Sequence, residues 1–340
     1  MSKKEEGVYD HYIAVDWSIQ NMAIARMTPK SNKITVTDVD SDVAELIVYL
    51  KSLQGTKILT FEETTVSQWL YTELKDYVTR ILVCDPLRNR LLSEGPKTDK
   101  IDASKLVQLL KANLLKEVFH SSDRFLNLRR LMSGYDDLVK AGVRWKNQRY
   151  SLLRACGFRG DEKRDIPFKT MEEQHVWGCL ERQIENYERE KQGYENRFLE
   201  LAKKYPEVRH QMGIPGIGLI GAVKVVAQVV SPHRFADAGH FLSYAGLVKL
   251  EKRSGMISYG RKKSRHCPEL KNVYKTGSVT ALKGNNPIDD CYRYLIQEKG
   301  YPDYQARHKV ARRLAILSWG VLKSGKKYQR RHHVKVAQDV

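Results

Sequence analysis

Cysteine is scarce in this sequence and follows no pairing pattern. The 340 residues include five cysteines, an odd number, and no two of them have the Cys-x-x-Cys spacing of a zinc site. A disulfide framework and a cysteine-rich zinc site are therefore excluded, and this usage is typical of the reducing cytoplasm.

Long apolar runs are also missing. No stretch approaches the roughly 18 consecutive apolar residues that a membrane span needs, and the segment from Met1 to Glu6 is polar, unlike a secretory leader. The phosphate-binding loop of nucleotide hydrolases is absent too, because no Gly-Lys-Ser/Thr follows Gly216 and Gly218 at the required spacing. We therefore expect a cytoplasmic protein without a membrane partner.

Positive charge is what the sequence has in excess. Lys and Arg number 59 against 40 Asp and Glu, which gives a formal net charge of +19. Such an excess points to a polyanionic partner, and nucleic acid is the first candidate because phosphates attract Lys and Arg directly. A solvated basic surface is the alternative.

The N-terminal quarter alternates between strand and helix signals. Three short apolar runs in succession predict an antiparallel meander. Helix and strand signals then take turns, which predicts parallel crossovers and hence an α/β domain with a mixed sheet. The predicted strands are 11–17, 22–27, 33–37, 57–62 and 80–85, and the predicted helices are 43–53 and 66–77.

Four acids lie where such a domain would place a site. Asp16 and Glu62 each end a predicted strand, and ligands of open α/β sheets gather at strand ends. Asp99 and Asp102 fall in the first turn of a helix that follows Gly95-Pro96, and residues three apart share one helix face. Four converging carboxylates would hold one or two Mg²⁺ ions for phosphoryl transfer. Helix capping and turn formation are the alternative roles of these acids.

Glu63 competes with Glu62 for a place among the four. Successive residues of a strand point to opposite faces of the sheet. Only one of the two glutamates can therefore belong to the site, and the strand pattern alone leaves the choice open.

The middle of the chain, from Ser121 to about Tyr205, is rich in charge and has apolar residues at helical spacing. It predicts a long helical hairpin or coiled coil, broken by the polar segment Asp161 to Pro167. Its basic residues would face solvent or nucleic acid, and its apolar stripes would serve as an oligomer interface.

A glycine turn opens the apolar helix that follows. In Ile214-Pro215-Gly216-Ile217-Gly218, the pattern resembles a helix-hairpin-helix, whose backbone N–H groups hold a DNA phosphate. The alternative is a tight turn that packs closely because glycine allows it.

A basic loop then carries Ser254-Gly255. Its cations would stabilise an attacking serine alkoxide and a phosphate, although Ser-Gly is also an ordinary turn pair. Ser258 and Ser264 are rival nucleophiles. Helices are predicted at 269–282, 289–299 and 305–322, before a basic tail.

Taken together, these motifs resemble the DEDD recombinases (transposases) of bacterial insertion sequences, the bridge-RNA-guided family that includes Piv-like DNA invertases. The resemblance covers nearly the whole chain. The glutamate motif departs from the family pattern, since a small residue and a glycine are replaced. The matching segments are Ile13-Ala14-Val15-Asp16, Phe61-Glu62-Glu63-Thr64-Thr65, Lys97-Thr98-Asp99-Lys100-Ile101-Asp102-Ala103, Tyr244-Ala245-Gly246-Leu247, Ser254-Gly255 and Gly320 to Gly325.

The resemblance implies a fold and a domain order. It implies a RuvC-like RNase H-fold domain with a mixed sheet at 1–120 and a helical coiled-coil arm at 121–206. A mostly helical transposase domain with a catalytic serine would follow at 207–328, and a basic tail at 329–340.

The resemblance also implies the chemistry. Asp16, Glu62, Asp99 and Asp102 would bind Mg²⁺, and Ser254 would attack DNA to give a 5′-phosphoserine intermediate. The residues expected to bind nucleic acid are Lys97, Gly216, Gly218, Lys252, Arg253, Arg261, Lys262, Lys263 and Arg265.

The implied partners are target and donor double-stranded DNA, a structured noncoding bridge RNA, and further copies of the chain in a dimer of dimers. The implied location is the bacterial nucleoid. Two other functions stay open: a RuvC-like structure-selective nuclease that uses water, and a catalytically inactive nucleic-acid-binding scaffold.

Overall fold

A computed structural model of the chain describes residues 8–86, 98–120, 125–158, 168–255, 257–263 and 265–329, and only the backbone at 249–254, 258 and 261–263. The chain divides into two compact units between Asp123 and Arg124. Lys97, Ser264, the polar break at 161–167 and the tail from 330 lie outside the described residues.

The N-terminal unit is an α/β domain whose elements follow the predicted order. Most predicted bounds agree with the observed ones to within two or three residues. The elements are β1 (His11–Trp17), β2 (Asn21–Thr28), β3 (Ser31–Asp40), α1 (Val43–Ser52), β4 (Lys57–Glu62), α2 (Ser67–Leu74), β5 (Arg80–Cys84) and α3 (Asp99–Lys111).

The five strands form one mixed sheet in the order β3-β2-β1-β4-β5. Strands β1, β2 and β3 pair antiparallel, whereas β4 pairs parallel with both β1 and β5. The predicted meander followed by parallel crossovers is confirmed, and so is the mixed-sheet fold class.

Alternation along β1 divides the core of this unit into two layers. Ile13 and Val15 belong to a buried cluster with Leu46 of α1. Ala14, which points to the other face, belongs to a cluster with Leu106 of α3. Helix α3 therefore covers one face of the sheet, and α1 and α2 cover the other.

The C-terminal unit is mostly helical, with one two-stranded hairpin. Its predicted helices are present, but the basic segment expected to be a loop forms paired strands β6 and β7. The elements are α4 (Leu126–Ala155), α5 (Met171–Lys204), α6 (Pro206–Met212), α7 (Leu219–Val229), α8 (Ala238–Tyr244), β6 (Lys249–Ser254), β7 (Ile257–Lys263), α9 (Pro268–Thr280), α10 (Pro287–Gln297) and α11 (Asp303–Ser324).

Helices α4 and α5 form the predicted hairpin, and its base is part of the core of the C-terminal unit. Leu128 of α4 and Phe198 of α5 are buried in the same cluster as residues of α7, α9 and α11. Lys224 of α7 forms a largely buried ion pair with Asp136 of α4, at 2.6 Å between Nζ and Oδ1. Arg129 of α4 donates a hydrogen bond of 2.8 Å to a carbonyl at the end of α7. The arm is thus joined firmly at its base.

Among the helices that the structure describes, none combines the length and the apolarity needed to cross a bilayer.

Candidate active site

Asp16 and Glu62 stand at the ends of neighbouring parallel strands. Ala14 of β1 is paired with Thr60 of β4, and each acid lies two residues further along its strand. Side chains two apart in a strand point to the same face, and Ala14 faces α3. Both acids are therefore on the face of the sheet that α3 covers.

Asp99 and Asp102 come to the same face from the first turn of α3. Thr98 is the N-cap residue of this helix, and its hydroxyl accepts a hydrogen bond of 3.3 Å from the backbone N–H of Ile101. The side-chain cap is supplied by the threonine. The two aspartates therefore do not supply this cap, which was their alternative role.

The small residues of β1 and β2 explain why α3 lies close to the sheet here. Ala14, Ala23 and Ala25 are fully buried beneath the helix, against its Ala103 and Val107. Small side chains on both surfaces bring the two backbones together, and the first turn of α3 with them.

The four acids interact through their charges. The pKa of Asp16 is raised from 3.8 to about 6, first by burial and then by the negative charges of Asp99, Asp102 and Glu62. Each of these causes disfavours the ionised carboxylate. A cation among the four groups would reverse this effect, because it would favour the charged forms.

Glu63 has a different environment from Glu62. Its carboxylate lies 3.0 Å from Nε2 of His120, whose side chain is almost fully buried. The Ser67 hydroxyl donates a longer hydrogen bond, 3.4 Å, to the same Glu63 oxygen, and the ring of His120 lies against Tyr71. Glu63 is therefore engaged away from Asp16, whereas Glu62 contributes to the field around it.

No pattern in the sequence points to His120. A single histidine after the last strand of a domain belongs to no spacing motif. Only the folded chain shows that it fixes the residue next to Glu62.

The donor set fits a hard divalent cation. All four groups are carboxylates, and Mg²⁺ prefers oxygen ligands. Within the described part of the chain, however, no three His, Cys, Asp or Glu side chains are gathered tightly enough to form a ready metal cluster. The other three acids are near enough to raise the pKa of Asp16, and a bound ion would draw the four closer.

Ser254 lies in the C-terminal unit, at the last position of β6. It pairs with Ile257 across a turn in which Gly255 has a φ of +60°. Positive φ is a conformation that glycine adopts without strain. The predicted Ser-Gly turn is therefore present, now as the tip of a hairpin.

The described residues that are expected to bind nucleic acid lie in this hairpin, just after it, or in the glycine turn; Lys97 lies outside the described residues. Lys252 and Arg253 lie on β6, and Arg261, Lys262 and Lys263 lie on β7. Arg265 follows β7 and is exposed.

Gly216 and Gly218 differ in their surroundings. Gly216 has a φ of +84°, and a Cβ built on it would lie 2.2 Å from the carbonyl oxygen of Gly277 in α9. Gly218 precedes α7 in extended backbone, with open space where a Cβ would be. The structure thus gives Gly216 the packing role, and it leaves the amides at the start of α7 without a side-chain cap.

Comparisons with known proteins give transposase matches in both units. A transposase family model, of the DEDD domain of IS110-type elements, matches residues 13–157, which include the four acids. A second, described as the transposase IS116/IS110/IS902 family, matches residues 209–293, which include Ser254. The transposase for insertion sequence element IS1111A of Coxiella burnetii is 24% identical over 172 residues, 47% of this chain and 47% of that protein. The chain thus spans about half the length of the curated relative it matches.

Proposed function

We propose that this chain, which matches two transposase family models of the IS110 type, cuts and rejoins DNA strands with a divalent metal ion and a serine nucleophile. Asp16, Glu62, Asp99 and Asp102 would hold the metal, and Ser254 would attack the DNA. The observation that carries the proposal is the meeting of four acids, from the ends of β1 and β4 and the first turn of α3, on one face of the sheet, where three of them raise the pKa of the fourth.

The reaction conserves the number of phosphoester bonds. The Ser254 oxygen forms a bond to phosphorus while the bond from phosphorus to the 3′ oxygen breaks, and the 3′ oxygen leaves as a hydroxyl with the proton. The 5′ end then stays attached as a phosphoserine. A 3′ hydroxyl of a second strand reverses the step and needs no ATP. When bound, Mg²⁺ supplies positive charge to the scissile phosphate and the leaving oxygen.

The basic hairpin suits the phosphate that this serine would meet. Residues 249–263 contain six Lys or Arg and a single acid, Glu251. Cationic groups placed around a reacting phosphodiester stabilise the charge that develops on it.

Replacing the proposed nucleophile tests the mechanism directly. We expect Ser254→Ala to abolish the covalent protein–DNA adduct, seen as a shifted band after denaturing electrophoresis, while DNA binding stays intact. Ser258→Ala, the matched control, keeps the adduct. A persistent adduct in Ser254→Ala would overturn the serine assignment.

A hydrolytic nuclease is the second candidate, because all four acids belong to the N-terminal unit and need no serine. It would use water and leave free 5′ phosphates. Cleavage by Ser254→Ala with free 5′ phosphate ends would identify this activity. DNA binding without cleavage in any variant, including the unaltered chain, would identify an inactive scaffold.

The proposal extends to the partners. A structured noncoding RNA would pair with target and donor DNA, so that base pairing reads sequence while the protein reads backbone. A dimer of dimers would bring acids and serine from different copies to one phosphate. We expect cleavage to require RNA transcribed from the flanking DNA. We also expect the active protein to be a tetramer, as measured by light scattering. RNA-independent cleavage by a monomer would contradict both parts.

A further inference from the structure

Strand β7 carries two exposed side chains, one apolar and one aromatic, a short distance along the hairpin from Ser254. Ile257 is 61% exposed and Tyr259 is 64% exposed. They are two residues apart on β7, where the pairing with β6 shifts register between Ser258 and Arg261. The backbone of Ser254 pairs with that of Ile257. Tyr259 therefore lies two residues along β7 from the position opposite the serine.

The spacing of residues along β7 is close to that of nucleotides along a nucleic acid strand. Two residues of a strand span about 7 Å, which places the Tyr259 ring within about two nucleotides of a phosphate at Ser254. Positive charge follows the same path, since six of the 15 residues from 249 to 263 are Lys or Arg.

An exposed aromatic ring among cationic residues is a combination that binds unpaired bases. The ring stacks on the base, and the cations neutralise the backbone. Stacking needs a base whose face is free, which a continuous duplex does not offer. The hairpin is therefore better suited to a strand that is opened at the cleavage site than to intact double helix.

We propose that Tyr259 stacks on an unpaired DNA base beside the phosphodiester that Ser254 attacks, and thereby holds the strand in position. The assignment rests on the proposed function for the location of the reacting phosphate. The stacking itself needs only the tyrosine and an unpaired base, so it is measurable apart from the chemistry.

The test uses the full-length protein and a short single-stranded DNA that contains 5-iododeoxyuridine, which crosslinks to stacked aromatic rings under long-wavelength light. We expect Tyr259 to be the crosslinked residue and Tyr259→Ala to bind the strand about tenfold more weakly. Tyr259→Phe, which keeps the ring, retains both crosslink and affinity. Tyr304→Ala is the matched control, because Tyr304 is also exposed, at 71%, but lies in α11.

The same variants in the Ser254→Ala background separate this inference from the proposed function. Crosslinking that survives there supports stacking, whatever the fate of the covalent adduct. Unchanged affinity and no crosslink at Tyr259 would overturn the inference. Weaker binding of single-stranded RNA alone would also overturn it and would assign Tyr259 to a guide RNA. A change of oligomeric state in Tyr259→Ala would overturn it too and would assign Tyr259 to the contact with a second copy.

Discussion

Asp16 is held in an environment that disfavours its charge. Its pKa in the folded chain is about 6, above the ordinary 3.8, because of burial and the neighbouring acids. A carboxyl group whose pKa rises on folding contributes stability below its unfolded pKa, and this contribution is lost as the pH rises through the folded value. The metal-free protein should therefore lose stability between about pH 4 and pH 6.

Asp16→Asn should remove this penalty. In EDTA at pH 7.5 we expect the variant to be more stable than the unaltered chain by about 1 kcal/mol, a figure reduced for the partial exposure of the group. Near pH 3.5 the two should be equal. Urea denaturation at both pH values measures the difference, and a variant that is less stable at pH 7.5 would contradict the prediction. Mg²⁺ should stabilise only the unaltered chain.

Glu62 and Glu63 form a natural matched pair. Glu62→Gln should lower strand cleavage by a factor of 100 or more, on the order of a lost charge-stabilising group. Glu63→Gln should keep cleavage, at a cost of up to about 1 kcal/mol for the weakened contact with His120. Cleavage assays with both variants decide, and the reverse pattern would move the site to Glu63. The choice needed the folded chain, because the sequence does not say which face of β4 meets α3.

Among the elements, the hairpin β6–β7 was missed while β1 to β5 were predicted. The first five strands form apolar runs because helices cover both faces of their sheet. The hairpin, Lys-Leu-Glu-Lys-Arg-Ser and Ile-Ser-Tyr-Gly-Arg-Lys-Lys, is mostly polar and has no alternating apolar pattern, so periodicity does not identify it. Strand pairing there follows from the Gly255 turn.

The glycine turn before α7 offers a second matched pair. Gly216→Ala should destabilise the C-terminal unit by about 1–3 kcal/mol, because the new methyl group would meet the Gly277 carbonyl at a positive φ. Gly218→Ala should change stability by less than about 0.5 kcal/mol, since its backbone is extended and its surroundings are open. Thermal denaturation measures both. A stable Gly216→Ala variant would contradict the packing role.

At the scale of the whole molecule, the main feature is the excess of positive charge. A net charge of +19 predicts that affinity for a 30-base-pair DNA duplex falls about a thousandfold between 50 and 200 mM salt, as expected for about six phosphate contacts. The double variant Arg261→Gln, Lys262→Gln should reduce the salt slope by about two. Lys30→Gln, in the turn between β2 and β3, is the control. Salt titrations by fluorescence anisotropy measure how the affinity for DNA depends on salt concentration. Equal slopes for the double variant and the unaltered chain would show that the hairpin is not part of the DNA interface.

The two long helices α4 and α5 were predictable from the sequence, but the elements that pack against them were not. The apolar spacing of α4 and α5 predicts two long helices, and both exist. It does not reveal their neighbours, and the expected arm at 121–206 shares its basal core with α7, α9 and α11. Heptad patterns identify an apolar stripe, but the surface that covers the stripe is a property of the whole fold.

The anchored root of the arm has a mechanical consequence. The 30 residues of α4 extend for about 45 Å, and the Lys224–Asp136 ion pair and the Arg129 hydrogen bond fasten the near end. These contacts fix the direction in which the helical pair leaves the core of the C-terminal unit. The far end of α4 is thereby kept at a set distance from the core to which its base belongs.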